Sequence, residues 1–159
     1  MKFLYEGQLS NMKKNLSAHN DKVGFGPAEK IDLFYLESLH IPESVLNFYR
    51  FAEPDDVVEI RDARIWPISV LKLENEKMEP GSIIFPLGYF VIGTTIFGDC
   101  YCLNLNQPSR KTEPSVIIAY HDRQNHHPTG ESILENMKTV AKTFSEFLTL
   151  FSKGKLKAD

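Results

Sequence analysis

The sequence predicts an α+β domain: a mostly antiparallel sheet of five or six strands, with N-terminal helices and a long C-terminal amphipathic helix packed on it. Three observations predict it. Apolar residues recur at helical spacing through residues 7–52. From Val57 the pattern becomes that of short strands, separated by Gly88, Gly98-Asp99 and the polar run 106–113. From Ile133 the helical spacing returns and holds through Phe151. Helices before and after a block of strands, rather than between them, point to α+β.

Residues 7–20 read as a polar helix with Leu9, Met12 and Leu16 on one side, and 21–27 as a break carrying Gly24 and Gly26. A second helix, 28–39, has Ile31, Phe34, Tyr35 and Leu39 as its stripe and ends at His40-Ile41-Pro42. Pro42 suits the first turn of a third helix, 43–52, where a missing N–H costs nothing. That helix presents Val45, Leu46, Tyr49 and Ala52 on one side. Residues 57–60 and 64–67 read as short strands, and 69–73 as one helical turn capped by Ser69. The main strands are 82–85, 89–97, 101–105 and 115–120.

Ser132-Ile133-Leu134-Glu135 matches a capping box, in which hydroxyl and carboxylate satisfy each other's free backbone donors. The spacing then predicts one helix through Met137, Val140, Ala141, Phe144, Phe147, Leu148 and Phe151. Gly154 supplies its stop, and Lys153 and Lys155 complement its dipole. No repeat or low-complexity linker divides the chain. Residues 1–27 belong with a domain at 28–152, and 153–159 form a basic tail.

Composition narrows the function classes. The chain has 159 residues, 42% hydrophobic and 25% charged, enough for a core without staples. Eleven Phe and six Tyr against one Trp predict a core rich in rings. A net charge of -3 with no concentrated basic face sets direct nucleic-acid binding aside. Glu6 interrupts the short apolar start, so no signal peptide is read there. Pro86, Gly88 and Gly93 break the most apolar stretch into strand-sized pieces, too short to span a bilayer. Two cysteines without an export signal read as reduced thiols, which places the chain in a cytoplasm.

Catalytic patterns do not assemble. Ser109 and Ser115 lack a nucleophile elbow, and Gly24-Phe25-Gly26 lacks the third glycine of a nucleotide-binding turn. No carboxylate pair is placed opposite a general acid, so neither enzyme activity nor a cofactor is expected. Cys100 and Cys102 share one face of a strand, but a metal needs two more ligands, and paired cysteines of this kind pack as small hydrophobes. His121, Asp122, His126 and His127 form the cluster on which a metal-dependent hydrolase would rest. His126 and His127 are adjacent and point apart in extended chain, and Asn125, Pro128, Thr129 and Gly130 mark a solvated loop. No metal site is assigned.

The order of motifs resembles the SUKH superfamily, the fold shared by fungal cell-wall regulators and many bacterial immunity proteins. The pieces are Ile41-Pro42-Glu43-Ser44-Val45-Leu46-Asn47-Phe48-Tyr49, similar to the family's Leu-Pro lead into a helix, and Arg64-Ile65-Trp66-Pro67-Ile68 with Leu71 and Asn75. Ile84-Phe85, Ile92-Gly93 and Gly98-Asp99-Cys100-Tyr101-Cys102-Leu103 are similar to its central hairpins, and 116–122 and 140–148 to its closing strand and helix. Where the family often has Asn-Gly after the Leu-Pro helix, this chain has Glu53-Pro54-Asp55-Asp56, so a partner site there does not transfer by analogy. The resemblance implies a protein-binding domain, in particular an immunity protein that occludes a bacterial polymorphic toxin through the toxin's C-terminal domain. The alternative is a regulatory scaffold that binds a host protein. A monomer or weak homodimer is expected.

One segment suits such a partner. Residues 53–62 carry Glu53, Asp55, Asp56, Glu59 and Asp62 against Arg61 alone. Opposed potentials accelerate association with a basic protein, and acidity here would fit a nuclease toxin whose own site takes phosphate. Asp99, at a hairpin turn, and Asp122, in the following loop, complete the candidate contacts.

Overall fold

Sequence-adjacent strands make the centre of the structure, a computed structural model describing residues 1–106, 113–120 and 128–156. Before them comes α1 (Glu6–Ala18), whose Met12 and Leu16 are buried as their spacing predicts. The two-residue strand β1 (Phe25–Gly26) is followed by α2 (Lys30–Ser38) and α3 (Glu43–Ala52), and then by β2 (Glu53–Pro54), which pairs antiparallel with β1. In α3 the expected Val45, Leu46, Tyr49 and Ala52 are buried, and Phe48 and Asn47 with them. The Asn47 amide donates to the Lys2 carbonyl and accepts from the Leu4 N–H, both at 2.9 Å, and so ties down the N-terminal segment.

The apolar stripe of α2 lies elsewhere than expected. Leu36 is its buried residue, with Leu33, Tyr35 and Leu39 half-buried around it, while Ile31 and Phe34 point outward. Leu33, Leu36 and Leu39 recur every third residue, and packing against α3 and the helix at Ile68–Glu76 selected that stripe over the one containing Ile31.

The sheet consists of β3 (Val58–Ile60), β4 (Ala63–Ile65), β5 (Tyr89–Thr95), β6 (Cys100–Asn104), β7 (Val116–Ala119) and β8 (Met137–Ala141). Its order is β3-β4-β5-β6-β7-β8, every pair antiparallel, which gives six strands in an uninterrupted meander. One face presents Phe90, Ile92, Tyr101, Leu103, Val116 and Ile118 to the main core. The other presents Val91, Cys100, Cys102 and Ala119 to a smaller cluster with Ile84 and Ile133.

Between β4 and β5 lie α4 (Ile68–Glu76) and α5 (Gly81–Ile84), the latter running into a 3-10 turn at Phe85–Leu87. The single turn expected at 69–73 is therefore a longer helix. It is capped by the Glu53 carboxylate, which accepts the Ile68 N–H at 3.0 Å, rather than by Ser69. The strand expected at 82–85 is helical. Pro80 opens the turn, its carbonyl accepts the N–H groups of Ile83 and Ile84, and Gly88 closes the segment at φ 95°. Tertiary contact of Ile84 with the small core outweighed the β-propensity of Ile83-Ile84.

Asn75 of α4 is buried and engages β5 directly. Its amide donates to the Val91 carbonyl and accepts the Val91 N–H, both at 2.8 Å, and donates to its own Leu71 carbonyl at 2.9 Å. β4 ends at Ile65, which pairs with Gly93, so Val91 has no strand neighbour on that side. The asparagine side chain stands in for it. Gly93 itself lies where a β-carbon would collide with the Arg64 carbonyl.

The C-terminal region also differs from the single helix expected there. In place of one helix from Ser132, α6 (Gly130–Glu135), β8 and α7 (Phe144–Ser152) follow one another. Thr129 is the cap of α6. Its hydroxyl accepts the Ser132 N–H at 3.1 Å, and the Ser132 hydroxyl accepts the Thr129 N–H at 2.9 Å. β8 is then bulged, with Val116 opposite Ala141 and Ile117 opposite Thr139, so Val140 interrupts the period of two. That interruption gives Met137, Val140 and Ala141 helical spacing in a strand. Thr143 restarts the helix by accepting the Glu146 N–H at 3.1 Å, and Glu113 accepts from the Ser145 N–H and hydroxyl at 2.9 and 2.6 Å. α7 is the amphipathic closing helix, burying Phe144, Phe147, Leu148 and Phe151 against the sheet. α1 packs alongside it, with Gln8 donating to Thr149 at 3.2 Å and Asn15 to the Ser152 carbonyl at 2.7 Å.

Candidate protein-binding surface

The acidic segment does not form one free patch. Glu53 is consumed at the N-terminus of α4, where its negative charge is favoured by the helix dipole and its oxygen accepts the Ile68 N–H. Burial raises its pKa, the Ile68 bond opposes that, and the nearby Asp32 and Glu29 carboxylates raise it further. Asp55 clasps the mini-sheet: its carboxylate accepts the Gly24 N–H at 3.0 Å and its N–H donates to the Gly24 carbonyl at 2.9 Å. Glu59 faces Arg64 across the β3–β4 ladder at 2.6 Å, an exposed pair worth about 0–1 kcal/mol.

Asp56 and Asp62 are different. Both are exposed. Asp56 accepts only its own neighbour's N–H, that of Val57, at 2.7 Å. Asp62 lies in the β3–β4 turn, next to Arg61, which takes a left-handed conformation at φ 53°. A cleft of about 610 Å³ opens there between the end of α1 and β3, lined by Asn15, His19, Asp21, Glu59, Arg61 and Asp62.

The β5–β6 hairpin reaches the same end of the sheet. Gly98 takes φ 97°, its N–H donates to the Thr95 carbonyl, and the Thr95 hydroxyl accepts the N–H groups of Phe97 and Asp99 at 3.2 and 3.1 Å. This is the turn that Gly98-Asp99 predicts. Asp99 is only 4% exposed, so the rim position expected of it falls to Phe97, which is 59% exposed beside a partly exposed Ile96. The Ile96 N–H donates to the Asp62 carbonyl at 2.9 Å, which fixes the hairpin tip against the acidic turn. Phe97 escaped the sequence reading because a Phe at the end of an apolar run looks like strand core. Its place directly before the turn glycine was the available signal.

Asp122, His121, His126 and His127 lie outside the described residues. Among the described residues no three His, Cys, Asp or Glu side chains gather so as to hold a metal ion. Cys100 and Cys102 are free and buried on the small-core face. Burial pushes the Cys100 thiol up to about 12, with Glu74 and Asp99 adding to it, and raises that of Cys102. Both thiols pack among apolar neighbours on that face. No helix among the described residues is long and apolar enough to cross a membrane.

No curated protein matches the chain in sequence. The model of the SMI1/KNR4 family (SUKH-1) matches residues 28–150, from the start of the segment leading into α2 to within α7. With the match running through α2, α3, the whole meander and most of α7, the chain belongs to the SMI1/KNR4 family (SUKH-1).

Proposed function

We propose that this chain is a non-catalytic protein-binding domain acting in the cytoplasm as an immunity protein, which binds a bacterial toxin domain and covers its active cleft. Family membership supports partner binding as the activity. The observation that carries the reading is the exposed aromatic tip, Phe97, on a hairpin that the Ile96 N–H holds to the Asp62 carbonyl, next to the cleft that Asp62 lines. An apolar centre with a charged rim is the anatomy of binding hot spots. A basic toxin, nucleases among them, supplies the complement, and the acidic rim accelerates encounter. Occlusion asks for surface complementarity and for no chemistry from this chain.

The test uses the two carboxylates that hold no other element in place. Reversing Asp56 and Asp62 together to Lys is expected to leave the fold intact and weaken toxin binding by about tenfold, more at low salt. The partner is identified by purifying the tagged protein from its native cytoplasm with mass spectrometry of what it retains. A stoichiometric toxin C-terminal domain is the expected result. Retention of a housekeeping complex alone would overturn the immunity reading in favour of a regulatory scaffold, and unchanged toxin affinity in the folded double variant would remove these carboxylates from the interface.

A further inference from the structure

We infer that the cleft between the end of α1 and the β3–β4 turn is a seat for an arginine side chain of the protein partner. The inference rests on the protein-binding reading above and names the chemistry that the cleft selects. Two separate parts of the chain make its walls. Asn15, His19 and Asp21 come from α1 and the turn after it, and Glu59, Arg61 and Asp62 from β3 and its turn. The first wall precedes residue 28, where the family match begins, so half of the cleft lies outside the matched region.

Internal bonds consume the donors of this cleft and leave its acceptors. The Asn15 amide donates to the carbonyls of Asn11 and Ser152 at 3.2 and 2.7 Å, which leaves its Oδ1. His19 sets Nδ1 against the Asn15 carbonyl at 2.9 Å. A carbonyl only accepts, so Nδ1 carries the proton and Nε2 of the neutral ring is left to accept. Among the described residues the carboxylates of Asp21 and Asp62 have neither a hydrogen bond nor an ion pair, while Glu59 is held by Arg64. Arg61 is the exception. Its stem lies over Gly154, where a β-carbon would come within 3.0 Å of the Arg61 Cδ, and it pairs with neither aspartate. The cleft of about 610 Å³ therefore presents acceptors and negative charge from both walls. No three His, Cys, Asp or Glu side chains among the described residues gather closely enough for a metal ion, so a compact cation does not fit. A guanidinium does, because it donates in several directions from one planar fork, where an ammonium acts as a point charge. Phe97, on the hairpin held to the Asp62 carbonyl, makes the source a protein: its surface covers the ring while its arginine enters the cleft.

The probe is N-acetyl-arginine amide, titrated at low salt into the isotope-labelled full chain with backbone amide shifts as the readout. Its lysine and citrulline counterparts are the comparisons, citrulline having the length of arginine without the charge. Arginine is expected to move the amides of residues 15–21 and 59–62 together and to saturate in the millimolar range. Lysine should bind about threefold more weakly, and citrulline should not saturate. Asp21→Asn and Asp62→Asn, which conserve shape, should each weaken arginine binding by about threefold and together by about tenfold. Glu131→Gln, an exposed change on α6, should leave it within about 1.5-fold. Circular dichroism and urea midpoints of all variants establish that they fold. Shifts scattered over the surface, saturation by citrulline, or equal binding by the folded double variant overturns the seat. Equal or tighter binding of lysine overturns the choice of arginine. The titration uses no partner, and the toxin reading is decided by the partner that co-purifies, so either can fail alone.

Discussion

Asn75→Leu is expected to destabilise the domain by about 2–5 kcal/mol, read as a fall in the urea midpoint at unchanged slope. The substitution conserves bulk, so the loss is not one of volume. It leaves the Val91 N–H and carbonyl facing a hydrocarbon where the asparagine amide had completed both at 2.8 Å. Each buried backbone group left without a partner costs about 1–3 kcal/mol, and no water reaches a side chain that is 2% exposed to replace it. Against a total stability of about 5–15 kcal/mol for a domain of this size, that is a large fraction. A loss below about 1 kcal/mol would show that β5 shifts to satisfy itself and that Asn75 is not its missing neighbour.

Phe147→Ala is expected to cost about 3–5 kcal/mol, the range for removing a fully buried ring. Phe147 has no exposed surface and sits at the crossing of α7 with the sheet, 5.3 Å from the Tyr101 ring and 6.4 and 6.3 Å from Phe144 and Phe151. Those neighbours belong to a rigid helix and a central strand, which limits how far they can collapse into the void. Phe147→Leu, which retains part of the volume, should cost less than half as much. Equal losses for Ala and Leu would mean that ring stacking rather than filled space holds α7 in place. Thermal or urea unfolding of the two variants side by side decides it.

The class of the fold was legible because its periods are long: a helical spacing, a run of strands, and a helical spacing again. What escaped was local. The register break in β8 gave Met137, Val140 and Ala141 the spacing of a helix, and only Thr143-x-x-Glu146, a second capping signature eleven residues after the first candidate, marked the restart. At 82–85 two β-branched residues suggested a strand, while Pro80 and Pro86 on either side already argued against a ladder there. The acidic run was visible as composition, but composition does not say which carboxylates are occupied. Glu53 and Asp55 proved to be internal fasteners, and that depends on α4 and Gly24, distant in the chain. The exposed pair on α2 was hidden for a related reason. Several apolar stripes fit its nine residues, and only the packed partners choose among them.

The pairing of α1 with α7 has a kinetic consequence. Every ladder in the six-stranded sheet joins strands adjacent in order, and even the longest connection, 66–88 with α4 and α5, is far shorter than the 141 and 137 residues spanned by the hydrogen bonds from Gln8 and Asn15. Local contacts form early and a closure of that length comes late, because its entropic cost precedes the contacts that reward it. The same helix should be the first unit to let go under native conditions. Its amides are expected to exchange hydrogen for deuterium ahead of those in β5 and β6, as one cooperative block. Equal protection of helix and strands would mean that the clasp opens only when the whole domain does, which would make the two ends of this chain the guard of its stability rather than its weakest seam.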